Sequence, residues 1–244
     1  MPYRIFITGS SDGLGLWAAQ RLIRFGHQVV LHARNAARAH ETAAKVPQAE
    51  RVLVADLAKL DEVKRLAEEA NVTGPFEAVI HNAAVYRDPG PEVLTVNVLA
   101  PYVLTCLMHR PARLIYISSS LHLQGRFDPA AFAAGAVSYA DSKLALVLLA
   151  KAVARRWPDV AVNAVDPGWV PTKMGGPYAP DDPKDGIRTQ VWLAVCDAPG
   201  AKVSGYLFHR LQPTCVHPQA EDIALQDALL DLCATLTGIP FPTR

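Results

Sequence analysis

The sequence predicts an α/β fold, a doubly wound parallel sheet of about seven strands with helices on both faces. Short, nearly unbroken apolar runs alternate with longer helix-like ones along the 244 residues. Strands covered on both faces lose the in–out alternation of a half-exposed strand, and parallel neighbours need a crossover helix between them. A glycine-rich turn also joins the first apolar run directly to the first helical one, as in sheets that bind a ligand at their front edge.

Residues 3–8 predict the first strand and residues 14–25 a helix that Gly26 and His27 end. Residues 28–33 form the second strand, 36–46 a helix and 51–55 the third strand. Residues 60–70 are an amphipathic helix, with Leu60, Val63, Leu66, Ala67 and Ala70 at helical spacing. The fourth and fifth strands fall at 76–80 and 113–117. Between Asn97 and Ser119 the chain contains Pro101 and looks short for a full helix. Residues 138–157 are a long helix, apolar almost all round, which burial against the sheet or a subunit would explain. A sixth strand at 160–165, a helix at 184–195, a short seventh strand at 205–208 and a helix at 221–236 complete the chain. There is no internal repeat and no low-complexity linker, so residues 1–244 are expected to form one domain. The stretch 171–185, rich in Pro, Gly and Asp, reads either as an ordinary surface loop or as a substrate lid after the sixth strand.

Half the residues are apolar and 19% are charged, which suits a sizeable core. A formal net charge of +1 argues against an electrostatic nucleic-acid binder. Cys106, Cys196, Cys215 and Cys233 are far apart, so neither a disulfide framework nor a zinc site is expected, and a cytoplasmic setting fits. The longest apolar run is far below the roughly 20 residues needed to span a bilayer, so no membrane partner is expected.

Tyr139 and Lys143 carry the chemistry. Four residues apart at the start of a helix, they share one face. A neighbouring cation favours phenolate over phenol, so Lys143 is expected to lower the Tyr139 pKa and fit it for proton transfer near neutral pH. The opening turn, Thr8-Gly9-Ser10-Ser11-Asp12-Gly13-Leu14-Gly15, uses small residues to let the backbone approach a pyrophosphate at a helix N-terminus. The same letters match the Gly-x-Ser-x-Gly elbow of a hydrolase with Ser11 as nucleophile. Only one strand fits before Ser11, which makes that reading poor.

With the glycine turn, Ser119, Tyr139 and Lys143 in this order, the chain resembles the short-chain dehydrogenase/reductase family from about Tyr3 to Leu236, a Rossmann-type fold. Thr8-Gly9-x-x-x-Gly13-x-Gly15 is similar to the family's cofactor turn, with Ser11, Asp12 and Leu14 inside it. Ala55-Asp56-Leu57 matches the adenine contact. His81-Asn82-Ala83-Ala84 resembles Asn-Asn-Ala-Gly, with His81 and Ala84 as departures. Asn97 lies where the family carries a structural and proton-relay asparagine. Pro167-Gly168-Trp169-Val170-Pro171-Thr172 resembles the segment that holds the nicotinamide. The long Ser119–Tyr139 gap, with Leu121, His122 and Gly125, looks like the retinol-dehydrogenase-like branch.

The resemblance implies an NAD(P)-dependent oxidoreductase that moves a hydride between the cofactor and a carbonyl or alcohol. Tyr139 would be general acid or base, and Lys143 would hold the nicotinamide ribose. Ser119, rather than Ser118 or Ser120, would bind the substrate oxygen, and Asn97 would hold a water leading from Lys143 to solvent. His122 is either a substrate contact or merely solvated, and Trp169 is the tryptophan placed to line a pocket. The second strand ends Leu31-His32-Ala33-Arg34-Asn35, with Arg38 a turn later. With no acid there and Arg34 in place, either Arg34 accommodates a 2′-phosphate, making NADP(H) the expected cofactor, or it is a solvated surface residue. A non-catalytic dinucleotide-binding regulator on the same fold is the competing function. Family members often pair as dimers or tetramers through the helix bearing the tyrosine.

Overall fold

A computed structural model describes residues 2–87 and 89–243. The chain runs β1 (Arg4–Ile7), α1 (Gly13–Arg24), β2 (Gln28–Ala33), α2 (Ala36–Lys45), β3 (Arg51–Val54), α3 (Leu60–Thr73) and β4 (Ala78–His81). A helical stretch comes next: α4 (Pro91–Leu94), a π-helical turn (Thr95–Leu99) and α5 (Ala100–Leu107). Then come β5 (Arg113–Ile117), a short 3₁₀ turn (Ser120–Gln124), α6 (Pro129–Ala133), α7 (Tyr139–Arg156), β6 (Ala161–Asp166), α8 (Pro183–Val195), β7 (Leu207–His209), β8 (Gln212–Pro213) and α9 (Ile223–Thr237).

Among the described residues, eight strands form one sheet in the order β3-β2-β1-β4-β5-β6-β7-β8. The first seven are parallel and β8 pairs antiparallel with β7. The chain builds outward from β1 through β2 to β3, then crosses to β4 on the other side of β1. That reversal opens a crevice beyond the carboxyl ends of β1 and β4, where such sheets bind ligands. Alternate residues feed two cores. Phe6, Val30, Val79, Leu114 and Val162 face one layer with α3, α5, α7 and α9, while Ile5, Leu31, Ile80, Ile115 and Val165 face the other with α1 and α8.

One expectation needs correction and two are sharpened. The stretch around Pro101 is helical from Pro91 to Leu107, not too short for a helix. A proline inside a helix forfeits the hydrogen bond to the carbonyl four residues back and crowds it. Here the π-helical turn widens the backbone just before the proline, and the Ala100 N–H reaches back five residues to the Thr95 carbonyl. The sheet has eight strands rather than about seven, because Arg210 and Leu211 make a tight turn with φ of 47° and 68° and return the chain as β8. The apolar character of α7 is satisfied within the chain. Its residues 142–150 are buried, and α9 closes over it with Leu229, Leu230 and Cys233. Ion pairs from Lys151 to Glu221 and from Arg155 and Arg156 to Asp227 fasten that cover. Among the described residues no helix is long and apolar enough to cross a membrane.

Candidate active site

The glycine turn is clamped on two sides. Toward β4, Thr8 Oγ1 accepts the N–H groups of Asn82 and Ala83 at 3.0 and 3.1 Å. The Asn82 amide donates back to the carbonyls of Thr8 and Gly9, each at 3.0 Å. Toward β2, the Gly9 N–H donates to His32 Nδ1 at 2.9 Å. That bond puts the ring proton on Nε2, which donates to the Ala55 carbonyl at 2.9 Å. His32 is thus a neutral strut between the turn and the end of β3, and burial pushes its pKa down to about 4. Sequence reasoning missed this role; a histidine inside a strand carries no signal of it. Gly9 (φ 61°) and Gly13 (φ 52°) hold left-handed backbone. Gly15 serves packing instead: a Cβ there would lie 2.5 Å from Asn82 Nδ2 and from the Gly9 carbonyl.

One cleft of about 800 Å³ lies over the switch point. Gly9, Ser11, Asp12, Gly13, Leu14, Arg34, Asp56, Leu57, Asn82, Ala83, Ser119, Tyr139, Lys143, Pro167, Gly168, Val170 and Thr172 all line it. Of the residues singled out in the sequence, Gly15 and Asn97 stand behind the wall. Arg34 Nη2 lies 3.2 Å from Asp56 Oδ2. Arg38, whose contribution the sequence left open, reaches Ser11 Oγ at 3.3 Å and Asp12 Oδ2 at 3.6 Å. Ser11 therefore has an arginine partner rather than the histidine a hydrolase would need.

Tyr139 and Lys143 project from the first turns of α7, whose start is fixed by a reciprocal cap between Ser138 and Asp141. Lys143 is 1% exposed and its Nζ donates to the Ile117 carbonyl at 2.8 Å, with Nζ 5.2 Å from the Tyr139 ring centroid. Burial pushes the Lys143 pKa down to about 7, opposed by the Asp166 carboxylate. The expected lowering of the Tyr139 pKa does not occur in this state. Burial raises it well above the ordinary tyrosine value, and Asp166 and Tyr86 push the same way. Spacing alone announced the cation; it did not announce that Lys143 is buried and Tyr139 half-buried.

The three serines differ. The Ser118 hydroxyl is buried and spent on the Lys143 carbonyl at 2.8 Å, and Ser120 is exposed. Ser119 is half-buried at the mouth of β5, where its Oγ caps the following turn by accepting the Leu121 N–H. His122 is buried rather than solvated, with Nδ1 2.7 Å from the Ser119 carbonyl. Asn97 Oδ1 accepts the Val85 N–H at 2.8 Å, while Nδ2 donates to the Val85 carbonyl and to Ser142 Oγ, both at 3.0 Å. Both amide protons are used, and this side chain ties Val85 to Ser142 of α7.

The segment after β6 spans the cleft mouth. Lys173 Nζ pairs with Asp12 Oδ2 at 2.7 Å across the glycine turn. The Tyr139 hydroxyl points at Met174 Sδ, 3.8 Å away. Trp169 Nε1 donates to the Gly175 carbonyl at 2.8 Å. Met174 and Tyr86, whose ring meets Tyr139 edge-on at 4.8 Å, were not singled out in the sequence, because nothing local marks a loop methionine or tyrosine as facing a site.

The family model for short chain dehydrogenases matches residues 4–183. An uncharacterised oxidoreductase of Emericella nidulans is 44% identical, over 98% of this chain and 98% of its own. Retinol dehydrogenase 14 of Mus musculus is 28% identical, over 96% of this chain and 86% of its own. A solved short chain dehydrogenase from Escherichia coli CFT073, complexed with NADPH, superposes with a TM-score of 0.69 at 27% identity, covering 86% of this chain and 97% of that one. The chain belongs to the short-chain dehydrogenase/reductase family, as an oxidoreductase that uses a nicotinamide cofactor and a small-molecule substrate. The non-catalytic regulator is set aside. The cleft fits the cofactor: its left-handed glycines, the start of α1 and the arginines at one end match a pyrophosphate and its adenosine.

Proposed function

We propose that the protein is an NADPH-dependent carbonyl reductase, acting as an alcohol dehydrogenase in reverse. The observation that carries this is that Ser119, Tyr139 and Lys143 share one cleft with Arg34 and Arg38. The turn Gly9–Leu14 would hold the pyrophosphate, Asp56 and Leu57 the adenine, and Arg34 with Arg38 a 2′-phosphate. Asn82, Ala83, Pro167, Gly168, Val170 and Thr172 would flank the nicotinamide half, with Lys143 on the ribose hydroxyls. The cofactor supplies or accepts the hydride. Tyr139 gives its proton to the substrate oxygen in reduction and takes one in oxidation, while Ser119 hydrogen-bonds that oxygen as charge develops. Oxidation needs the phenolate, so it rises with pH, and reduction falls. Asn97 is a positioning residue. The chain works as one dinucleotide-binding unit with its substrate loop near 171–185, in the cytoplasm and without nucleic acid. A homodimer or homotetramer belongs to the same proposal; within one chain α9 packs over the apolar residues of α7.

The test is consumption of NADPH with a panel of ketones and aldehydes, monitored by the absorbance of the reduced nicotinamide. Tyr139→Phe is expected to lower turnover by on the order of 10²–10⁴-fold, with NADPH binding nearly intact by calorimetric titration. Equal turnover in that variant removes Tyr139 from the mechanism.

A further inference from the structure

The tyrosine end of the cleft is walled by apolar side chains that are left open to water. Tyr86 is 62% exposed, Trp169 58% and Met174 44%, and all three line the cleft with Leu121 around Tyr139. Large apolar side chains gathered around one opening mark a surface built to be covered. They are also oriented. The Trp169 indole is held by its bond to the Gly175 carbonyl, and the Tyr86 ring stands edge-on to Tyr139. Met174 Sδ accepts a hydrogen bond from the Tyr139 hydroxyl at 3.8 Å, in the place where a substrate oxygen must sit to be protonated.

Charge is arranged differently. Asp12, Arg34, Arg38 and Asp56 lie toward the glycine turn, Lys173 is paired with Asp12, and Glu92 is paired with Arg87 at 3.3 Å. Apart from Lys143, whose Nζ donates to the Ile117 carbonyl, the tyrosine end therefore offers, among the described residues, rings and a thioether rather than an unpaired charged side chain. Pre-oriented rings favour flat π-systems by stacking and edge contacts, and thioether sulfur also sits well against aromatic rings.

We infer that the substrate is an uncharged aryl carbonyl compound, its ring received by Tyr86 and Trp169 while its oxygen displaces Met174 from the Tyr139 hydroxyl. This rests on the carbonyl-reductase reading above. Met174, on an unbranched and flexible side chain, swings aside and remains available to the ring.

The experiment compares matched pairs in which only aromaticity changes, such as 2-acetylnaphthalene against 2-acetyldecalin and benzaldehyde against cyclohexanecarbaldehyde. The expected result is a kcat/KM on the order of tenfold higher for each aryl member. Tyr86→Leu and Trp169→Leu should each shrink that ratio several-fold, mainly through KM. A binding readout runs beside it: 2-acetylnaphthalene should quench the tryptophan fluorescence of the parent protein far more than that of Trp169→Leu. Equal kcat/KM within the pairs, or variants that slow both members equally, overturns the aryl assignment and leaves the carbonyl-reductase reading standing. No NADPH consumption with any carbonyl, despite cofactor binding, overturns both.

Discussion

At one end of the cleft the glycine turn is locked from both sides by the side chains of Thr8, Asn82 and His32, which bond backbone groups at 2.9–3.1 Å. At the other end the walls are Tyr86, Trp169 and Met174, 44–62% exposed and carried on loops. The first end has almost no freedom to vary, because those side chains are bonded to main chain and Gly9 and Gly15 leave no space for a Cβ. The second depends on side chains that can be exchanged without disturbing the sheet. A rigid cofactor platform paired with a replaceable substrate wall is how one fold serves many substrates.

Gly9→Ala against Gly176→Ala tests that contrast most strongly. Both positions have left-handed backbone, at φ 61° and 76°. A Cβ on Gly9 would come within 2.7 Å of the Ala83 Cα, whereas one on Gly176 meets nothing within 4 Å. Gly9→Ala should cost about 2–4 kcal/mol from strain and overpacking together, and weaken NADPH binding. Gly176→Ala should cost about 1 kcal/mol. Thermal melts read both, and equal losses would show that the platform is not the stiffer part.

Next in size is Arg34→Asp. Losing a charge-assisted contact and placing a carboxylate near a 2′-phosphate should lower the NADPH/NADH ratio of kcat/KM on the order of 10–100-fold. An unchanged ratio would leave Arg34 as a partner of Asp56 alone.

A further test is of stability and comes from Lys143. Its pKa falls from 10.5 in the unfolded chain to about 7 when buried. Between those values the unfolded chain binds more protons than the folded one, so stability rises with pH across the window and the penalty is full below it. Lys143→Met should therefore raise Tm by on the order of 10 °C at about pH 6 and by much less at about pH 10. A pH-independent shift in scanning calorimetry would mean that Lys143 is not desolvated.

The legibility of each feature in the letters depends on how local its signal is. The glycine turn, the strand–helix alternation and the Tyr139–Lys143 spacing are all short-range patterns, and each stands where expected. The β7–β8 hairpin was invisible because Arg210 and Leu211 adopt positive φ without the glycine or asparagine that usually announces such a turn. Pro101 suggested a break because the widened turn that accommodates it has no composition of its own. Burial is a property of the assembled chain, which is why the Tyr139 pKa moved against its neighbour's charge, and why Tyr86 and Met174 emerged only in three dimensions.

The π-helical turn at Thr95–Leu99 links these observations. It contains one residue more than a regular helix would, and Asn97 within it grips both backbone groups of Val85, next to Tyr86. Removing a single residue there would regularise the coil and rotate α4 by about 100° relative to α5. Asn97 and Ser142 would lose their register, and the strand-end segment would be released. An apparent irregularity on the far side of the wall thereby sets where the mouth of the cleft can open.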